Sequence, residues 1–204
     1  MHIGIDFDNT IVNYDGVFYR VALEKDLIPA TVDKNKVAVR NYLRDVGNED
    51  AWTQLQGYVY GMRMSDAAFY PGFLEFLVWT KTNQIPVSII SHKTKHPFLG
   101  PPYDLHLAAR NWIKEFLHAE DKALVSLDNV YFETTKEAKW ARIKATGSTH
   151  FIDDLPEILL SELFPTATQP ILFDPDAHHN EQSCQLKTVH SWSVLLDYLE
   201  KYEY

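Results

Sequence analysis

Cysteine is almost absent from this chain. Cys184 stands alone among 204 residues, so no internal disulfide can form and a cysteine-rich zinc site is excluded. Positive charge is scarce too. The chain has 19 Lys and Arg against 28 Asp and Glu, a formal net charge of −9. That balance argues against a broad nucleic-acid or anionic-membrane surface, though not against a local basic pocket for a small anion. No apolar run approaches the roughly 18 residues of a membrane span, and no repeat or low-complexity tract occurs. The first residues lack the basic segment and apolar stretch of a secretory leader. The expectation is a cytoplasmic protein with neither nucleic-acid nor membrane partners, of undetermined oligomeric state. Its length suits one domain with, at most, a small appendage.

What is present is a rhythm of short apolar runs and helical patterns. Runs of strand character occur at Ile3 to Phe7, Pro86 to Ile90, Val130 to Glu133, His150 to Ile152 and Pro170 to Phe173. Helical spacing occupies Pro71 to Asn83, Asp104 to Leu117 with Asp104 as N-cap, Lys136 to Ala145, Leu155 to Leu163 and Ser191 to Tyr202. Such alternation predicts an α/β fold, a Rossmann-like, doubly wound parallel sheet. The stretch from Val12 to Phe69 breaks the rhythm with three helical patterns of its own: Val17 to Leu27, Lys36 to Val46 and Glu49 to Met62. It predicts a small helical cap insertion, residues 13–70, on a core made of residues 1–12 and 71–204.

Chemistry-bearing residues fall where these strands end. The first run ends in Asp6-Phe7-Asp8-Asn9-Thr10. Positions i and i+2 of a strand share a face, so Asp6 and Asp8 are expected to emerge together, and two such acids repel unless a cation or proton intervenes. Ser91-His92-Lys93-Thr94 follows the second strand, Lys136 and Lys139 the third, and Asp153-Asp154 ends the fourth. In doubly wound sheets ligands collect at these carboxyl ends. Converging acids, a hydroxyl and an ammonium suit a hard divalent cation together with a phosphate.

The ordered set Asp6-Phe7-Asp8-Asn9-Thr10, Ser91, lysine, Asp153-Asp154 resembles the haloacid dehalogenase (HAD) superfamily of phosphohydrolases, and the insertion lies where that family places its C1 cap. The resemblance implies that Asp6 is a nucleophile forming an aspartyl-phosphate and that Asp8 is the general acid and then base. Thr10 would orient Asp8 or support its loop. Ser91 would bind the phosphoryl group, with His92 and Lys93 beside it as further phosphate or substrate contacts. The family lysine is Lys139 or Lys136. The expected cofactor is Mg²⁺, held by Asp6, the backbone carbonyl of Asp8 and an acid of the pair Asp153 and Asp154. Asp154 aligns better in this role, while Glu157, four residues after Asp153, keeps the reverse open. Metal contact is expected to keep Asp6 ionised, and like charge to raise the pKa of Asp8. The implied reaction is hydrolysis of a small phosphate monoester, a sugar phosphate or nucleoside monophosphate. A phosphotransferase, or a non-catalytic binding protein on the same fold, is the alternative. A second aspartate is typical of the family's phosphatases, and dehalogenation is therefore not expected.

Other polar clusters have plainer readings. His178 and His179 beside Asp174-Pro175-Asp176 read as a turn rather than a metal site. Lys95 and His96 belong equally to a solvated loop or to substrate contact. Arg40, Arg44 and Arg63 are the insertion's cations to watch as substrate anchors, against the plainer expectation of surface ion pairs. Tyr58, Tyr60, Met62, Met64, Phe69 and Tyr70 suit either the packed face of the insertion or the lining of its pocket, and Trp52 could join Tyr58 and Tyr60 in stacking on a base.

Overall fold

A computed structural model describes residues 1–179 and 185–201. Cys184 and the expected helix end at Tyr202 lie outside the described residues. In chain order the elements are β1 (Ile3–Ile5), β2 (Val12–Asn13), α1 (Asp15–Glu24), α2 (Lys36–Asp45), α3 (Glu49–Gly61), β3 (Ala68–Phe69), α4 (Phe73–Thr82), β4 (Val87–His92) and α5 (Leu105–Phe116). They continue with β5 (His118–Ala119), β6 (Lys122–Ala123), β7 (Val130–Glu133), α6 (Lys136–Ala145), β8 (His150–Asp153), α7 (Pro156–Leu159), β9 (Gln169–Phe173), β10 (Lys187–Val189) and α8 (Trp192–Glu200). No described helix is long and apolar enough to cross a membrane.

The main sheet has six strands in the order β10-β9-β8-β1-β4-β7, paired in parallel throughout. Helices cover both faces of such a sheet, so its strands read as continuous apolar runs rather than alternating ones. All three residues of β1 are buried, as are the first five of β4. Gly4 marks a close approach between strands: a Cβ there would lie 2.6 Å from the Phe151 ring on β8. From β1 the chain winds outward through β4 and β7, then returns to β8 on the other side and continues to β9 and β10. This reversal beside β1 opens a crevice at the strands' carboxyl ends. Ile5 pairs with both Ile89 and Ile152, so β1, β4 and β8 present their ends at one level.

Capping fixes where several helices begin. Asp104 accepts from the Leu107 N–H at 2.9 Å, Thr135 from Ala138 at 3.1 Å and Asn35 from Ala38 at 2.7 Å. Several boundaries depart from expectation: β4 runs on through Ser91 and His92, residues expected to follow it, because their registry with Phe132 and Glu133 of β7 continues the ladder, and α1 spans Asp15–Glu24 rather than Val17 to Leu27. β1 ends at Ile5 rather than Phe7, because the Phe7 carbonyl turns to receive the N–H groups of Ile11 and Val12, while Asn9 takes a left-handed φ of 60°, a conformation asparagine tolerates. α7 stops at Leu159, where the Ser161 hydroxyl accepts the Leu163 N–H and forms a turn instead. The edge strand β10 and the short pairs β2–β3 and β5–β6 carry too few residues for a period-two pattern to register.

Between β2 and β3, α1, α2 and α3 pack on one another around Phe18, Val39, Leu43 and Trp52, all buried. The antiparallel pair β2–β3 joins the two ends of this insertion. Its seat on the rest of the fold is tight. A Cβ on Gly57 would lie 2.6 Å from Pro97, and one on Gly61 would lie 2.6 Å from Tyr103, so the loop before α5 nests against bare helix backbone. Trp112 on α5 donates to the Ala67 carbonyl at 2.9 Å.

On the far side α8 closes the core through Trp192. Its ring lies 4.7 Å from Phe73, 4.9 Å from Phe76 and 5.4 Å from Phe173, centroid to centroid. Its indole N–H donates to the Thr10 carbonyl at 3.2 Å. The loop after β1 is thus tied directly to the core. Trp192→Ala is expected to lower unfolding stability by about 3–5 kcal/mol in urea titrations. A loss below about 1 kcal/mol would show that this ring does not organise the core.

Candidate active site

Asp6 follows β1 and is held to the sheet by its N–H, which donates to the Ile152 carbonyl at 2.8 Å. The next side chain, Phe7, is buried at 5.6 Å from Trp112 and 5.5 Å from Phe132. This anchor leaves Asp6 and Asp8 facing away from the aromatic core although neither belongs to the strand.

Lys139 lies one turn into α6, and its side chain is buried over the Phe151 ring. Its ammonium donates to Asp6 Oδ1 at 2.6 Å and to Asp153 Oδ2 at 2.5 Å. Lys136 points elsewhere and pairs with Glu157 at 2.6 Å, both side chains largely exposed. The helix therefore brings Lys139, not Lys136, to the acids, and Glu157 stays outside the cluster. The other oxygen of Asp153 accepts the Leu155 N–H at 2.9 Å, so both oxygens of Asp153 are engaged. Asp154, with the Thr10 hydroxyl at 3.4 Å, completes the group. Asp6, Asp153 and Asp154 each offer a carboxylate oxygen, all within 4.8 Å of one another.

Asp8 turns to a different set of partners. Lys93 donates to its two oxygens at 2.9 and 2.6 Å, and the Tyr14 hydroxyl donates at 2.5 Å. Lys93 is buried. Its N–H donates to the Glu133 carbonyl at 2.8 Å, and His106 Nε2 lies 2.8 Å from the Lys93 carbonyl. Ser91 is buried at the end of β4. His92 is exposed, its ring 3.3 Å from the Thr134 carbonyl, and Lys95 and His96 are exposed as well.

Two contributors escaped sequence reasoning. Tyr14 precedes α1 and looks like any apolar aromatic until the fold sets it on Asp8. Lys36 opens α2 and donates to Asn9 Oδ1 at 3.1 Å. An N-cap asparagine followed at once by a lysine was the available signal, and it does not say what the lysine faces.

The charges are unbalanced in an informative way. Burial, assisted by Asp153 and Asp8 and opposed by Lys139, pushes Asp6 up to about 7. Burial and the neighbouring Asp153 and Asp6 raise Asp154 well above the ordinary carboxylate value. Lys139 is shifted upward: burial lowers it, but Asp153 and Asp6 outweigh that. Asp8 corrects the expectation of a raised value. Burial pushes it up, but Lys93, Tyr14 and Lys36 outweigh burial and hold it below 3.8. Three clustered acids face Lys139 and, beside Asp154, Lys36; this leaves a demand for positive charge, and their hard oxygens suit a divalent cation.

Beside Asp154 a cavity of about 740 Å³ opens between the start of α2 and the loops following β8 and β9, with Asn9, Lys36, Arg40, Tyr70 and His178 also in its lining. Arg44 pairs with Glu49, and Arg63 pairs with Glu24 and Asp66, so neither faces this space as a free cation. Trp52 is buried against Phe18 and Met64 lies beneath the Tyr14 hydroxyl, whereas Tyr70 reaches the cavity wall. Asp174 accepts the N–H groups of His178 and His179 at 2.9 and 3.0 Å, which makes that segment a turn. Among the described residues, the cluster able to hold a metal is Asp6, Asp153 and Asp154.

No family model matches the chain, and no curated protein matches its sequence. Solved structures share its fold. A HAD-family hydrolase from Deinococcus radiodurans, with bound phosphate and sodium, is 14% identical with a TM-score of 0.57 over 98% of this chain and 95% of that one. A HAD hydrolase from Entamoeba histolytica is 16% identical, with a TM-score of 0.58 over 95% and 94%. A predicted phosphoglycolate phosphatase from Haemophilus somnus is 13% identical, with a TM-score of 0.58 over 97% of each chain. The α/β fold of this chain is thus the fold of HAD-superfamily hydrolases.

The raised acids make cation binding depend on pH. A carboxyl shifted from 3.8 to about 7 ionises later in the fold than in the unfolded chain. Without a cation, Asp6 therefore withdraws stability as pH rises through that window. A divalent cation held by the ionised cluster would reverse the loss. The increase in Tm on adding Mg²⁺ should be clearly larger at pH 8 than at pH 5 in thermal-shift measurements, and equal increases would contradict a site built on these acids.

Proposed function

We propose that this protein is a HAD-superfamily phosphatase that hydrolyses a small phosphate monoester through an aspartyl-phosphate on Asp6. The observation that carries this reading is the buried Lys139, bridging Asp6 and Asp153 beside Asp154, with Asp8 held separately by Lys93 and Tyr14. That separation suits a division of labour between two neighbouring acids.

In this reading residues 1–12 and 71–204 form the catalytic core and residues 13–70 a C1-type cap. Asp6 attacks phosphorus while Lys139 offsets the charge between the carboxylate and the phosphoryl oxygens. Ser91 donates to one of those oxygens. Thr10 supports the loop that carries both aspartates. Asp8 protonates the leaving oxygen, then takes a proton from the water that cleaves the acyl-phosphate. Lys93 tunes this exchange. While it pairs with Asp8 it favours the carboxylate, the form needed to activate water. An arriving phosphate dianion competes for the same ammonium and so favours proton uptake by Asp8. Asp6, Asp154 and the backbone carbonyl of Asp8 would hold a divalent cation, Mg²⁺ in this reading, which supplies positive charge for the phosphoryl oxygens. The cap excludes bulk water and polymers from the reacting centre.

The test is phosphate release from a panel of sugar phosphates, nucleoside monophosphates and an aryl phosphate, with Mg²⁺ and with EDTA. Asp6→Asn should lower turnover by at least about 10³-fold, and near-normal turnover in that variant would overturn the mechanism. Asp8→Asn should retain phosphoenzyme formation with an aryl phosphate, whose leaving group needs little protonation, while turnover of alkyl esters collapses. Free phosphate released without an acceptor separates hydrolysis from phosphotransfer.

A further inference from the structure

Lys36 and Arg40 stand one turn apart on α2, and both line the cavity beside Asp154. Residues at this spacing share a helix face, with Cβ atoms roughly 5–6 Å apart. The side chains differ from the other cations near the site in one respect. Lys93 and Lys139 each have a carboxylate partner, whereas among the described residues neither Lys36 nor Arg40 makes an ion pair. The Lys36 ammonium donates to a neutral amide, Asn9 Oδ1 at 3.1 Å. Arg40 Nε donates to another, Asn41 Oδ1 at 3.2 Å.

The acids sharing the cavity keep their charge but hold other partners. Asp15 accepts the Lys36 backbone N–H at 2.9 Å. The two oxygens of Asp174 receive backbone N–H groups, Asp176 lies 3.9 Å from His178, and Asp154 belongs to the metal-type cluster. Two cations therefore stand along one wall without a direct ion pair; burial lowers the Lys36 pKa, but Tyr60, Asp154 and Asp8 outweigh it, and a divalent cation on the acid cluster would compete for Asp154 and release Lys36 to a ligand. A transferred phosphate beside Lys139 and Ser91 leaves this wall free to read the rest of the molecule.

Building on the phosphatase reading, we infer that the substrate's leaving group carries a second anionic group, a carboxylate or a second phosphate, recognised by Lys36 and Arg40. Lys36 sits nearer the reacting centre. Arg40, with its planar fork, is the outer contact suited to a carboxylate or phosphate. The preferred substrate class is thus a small phosphorylated acid or a bisphosphate, in place of a neutral sugar monophosphate or a nucleoside monophosphate.

The test compares matched esters that differ in that group: 3-phosphoglycerate against glycerol 3-phosphate, and fructose 1,6-bisphosphate against fructose 6-phosphate. Binding is measured by calorimetry on the non-reacting Asp6→Asn protein with Mg²⁺, and kcat/KM on the wild type. The anion-bearing member of at least one pair should bind about tenfold or more tightly than its partner, the effect of one charge-assisted contact. That ratio should fall toward one in Arg40→Gln and in Lys36→Gln, and Arg40→Lys should restore part of it. A ratio is insensitive to a uniform loss of folded protein. Equal affinities within both pairs, or ratios unmoved by Arg40→Gln, would overturn the inference. If the binding ratios hold but the wild type releases no phosphate, the phosphatase reading fails while the recognition of a second anion stands.

Discussion

The structure is organised around one buried ammonium. Lys139 reaches from α6 to Asp6 and Asp153, and so ties a helix, one turn in from its start, to the ends of two adjacent strands, β1 and β8. Three charged groups out of water are costly, and an apolar trio of similar volume could hold the fold as well or better. Their value lies in position. The bridge fixes the direction of the Asp6 carboxyl, occupies one oxygen of Asp153, and leaves Asp154 with unmet charge beside them. Removing the ammonium would leave like charges facing one another in a dry crevice.

The rest of the fold delivers residues to that point. Because the strand order reverses beside β1, the ends of β1 and β8 open into a crevice rather than being covered by a crossover. Phe7, buried between its aromatic neighbours, sets the orientation of the acids on either side. Trp192 ties the Thr10 carbonyl to the core from below. The helical insertion supplies the opposite wall. Tyr14 reaches down to Asp8 and Lys36 to Asn9, while Gly57 and Gly61 let the loop before α5 press directly against α3. A compact seat of this kind gives the cavity a defined shape on the side where Lys36 and Arg40 stand.

Two neighbouring aspartates end in unlike electrostatic states for a simple reason. Asp6 shares its lysine with a second acid and sits among carboxylates, so burial prevails and its pKa rises. Asp8 has a lysine and a phenol to itself, so pairing prevails and its pKa falls. Like-charge repulsion between the two, the term most easily imagined from a DxD spacing, is minor beside the partners each acid acquires from distant parts of the chain.

The sequence by itself determined the α/β alternation, the run of helices between β2 and β3, and the placing of acids, a hydroxyl and lysines near the strand ends. Those signals are local: apolar runs, capping residues such as Asp104 and Thr135, and acids or hydroxyls placed just past a strand. Tertiary structure alone decided which partner each group acquired. Lys136 and Lys139 differ by three residues on one helix, and it took the packing of α6 on the sheet to turn one toward Asp6 and the other toward Glu157. Lys93 could be assigned to a phosphate from its neighbours in sequence, yet the fold sets it on Asp8. Tyr14 had no distinguishing local pattern, and the N-cap Asn35 before Lys36 did not say what that lysine faces. Charge partners separated by up to 133 residues leave no periodicity to read, because their meeting depends on strand order and helix rotation and not on the composition of either segment.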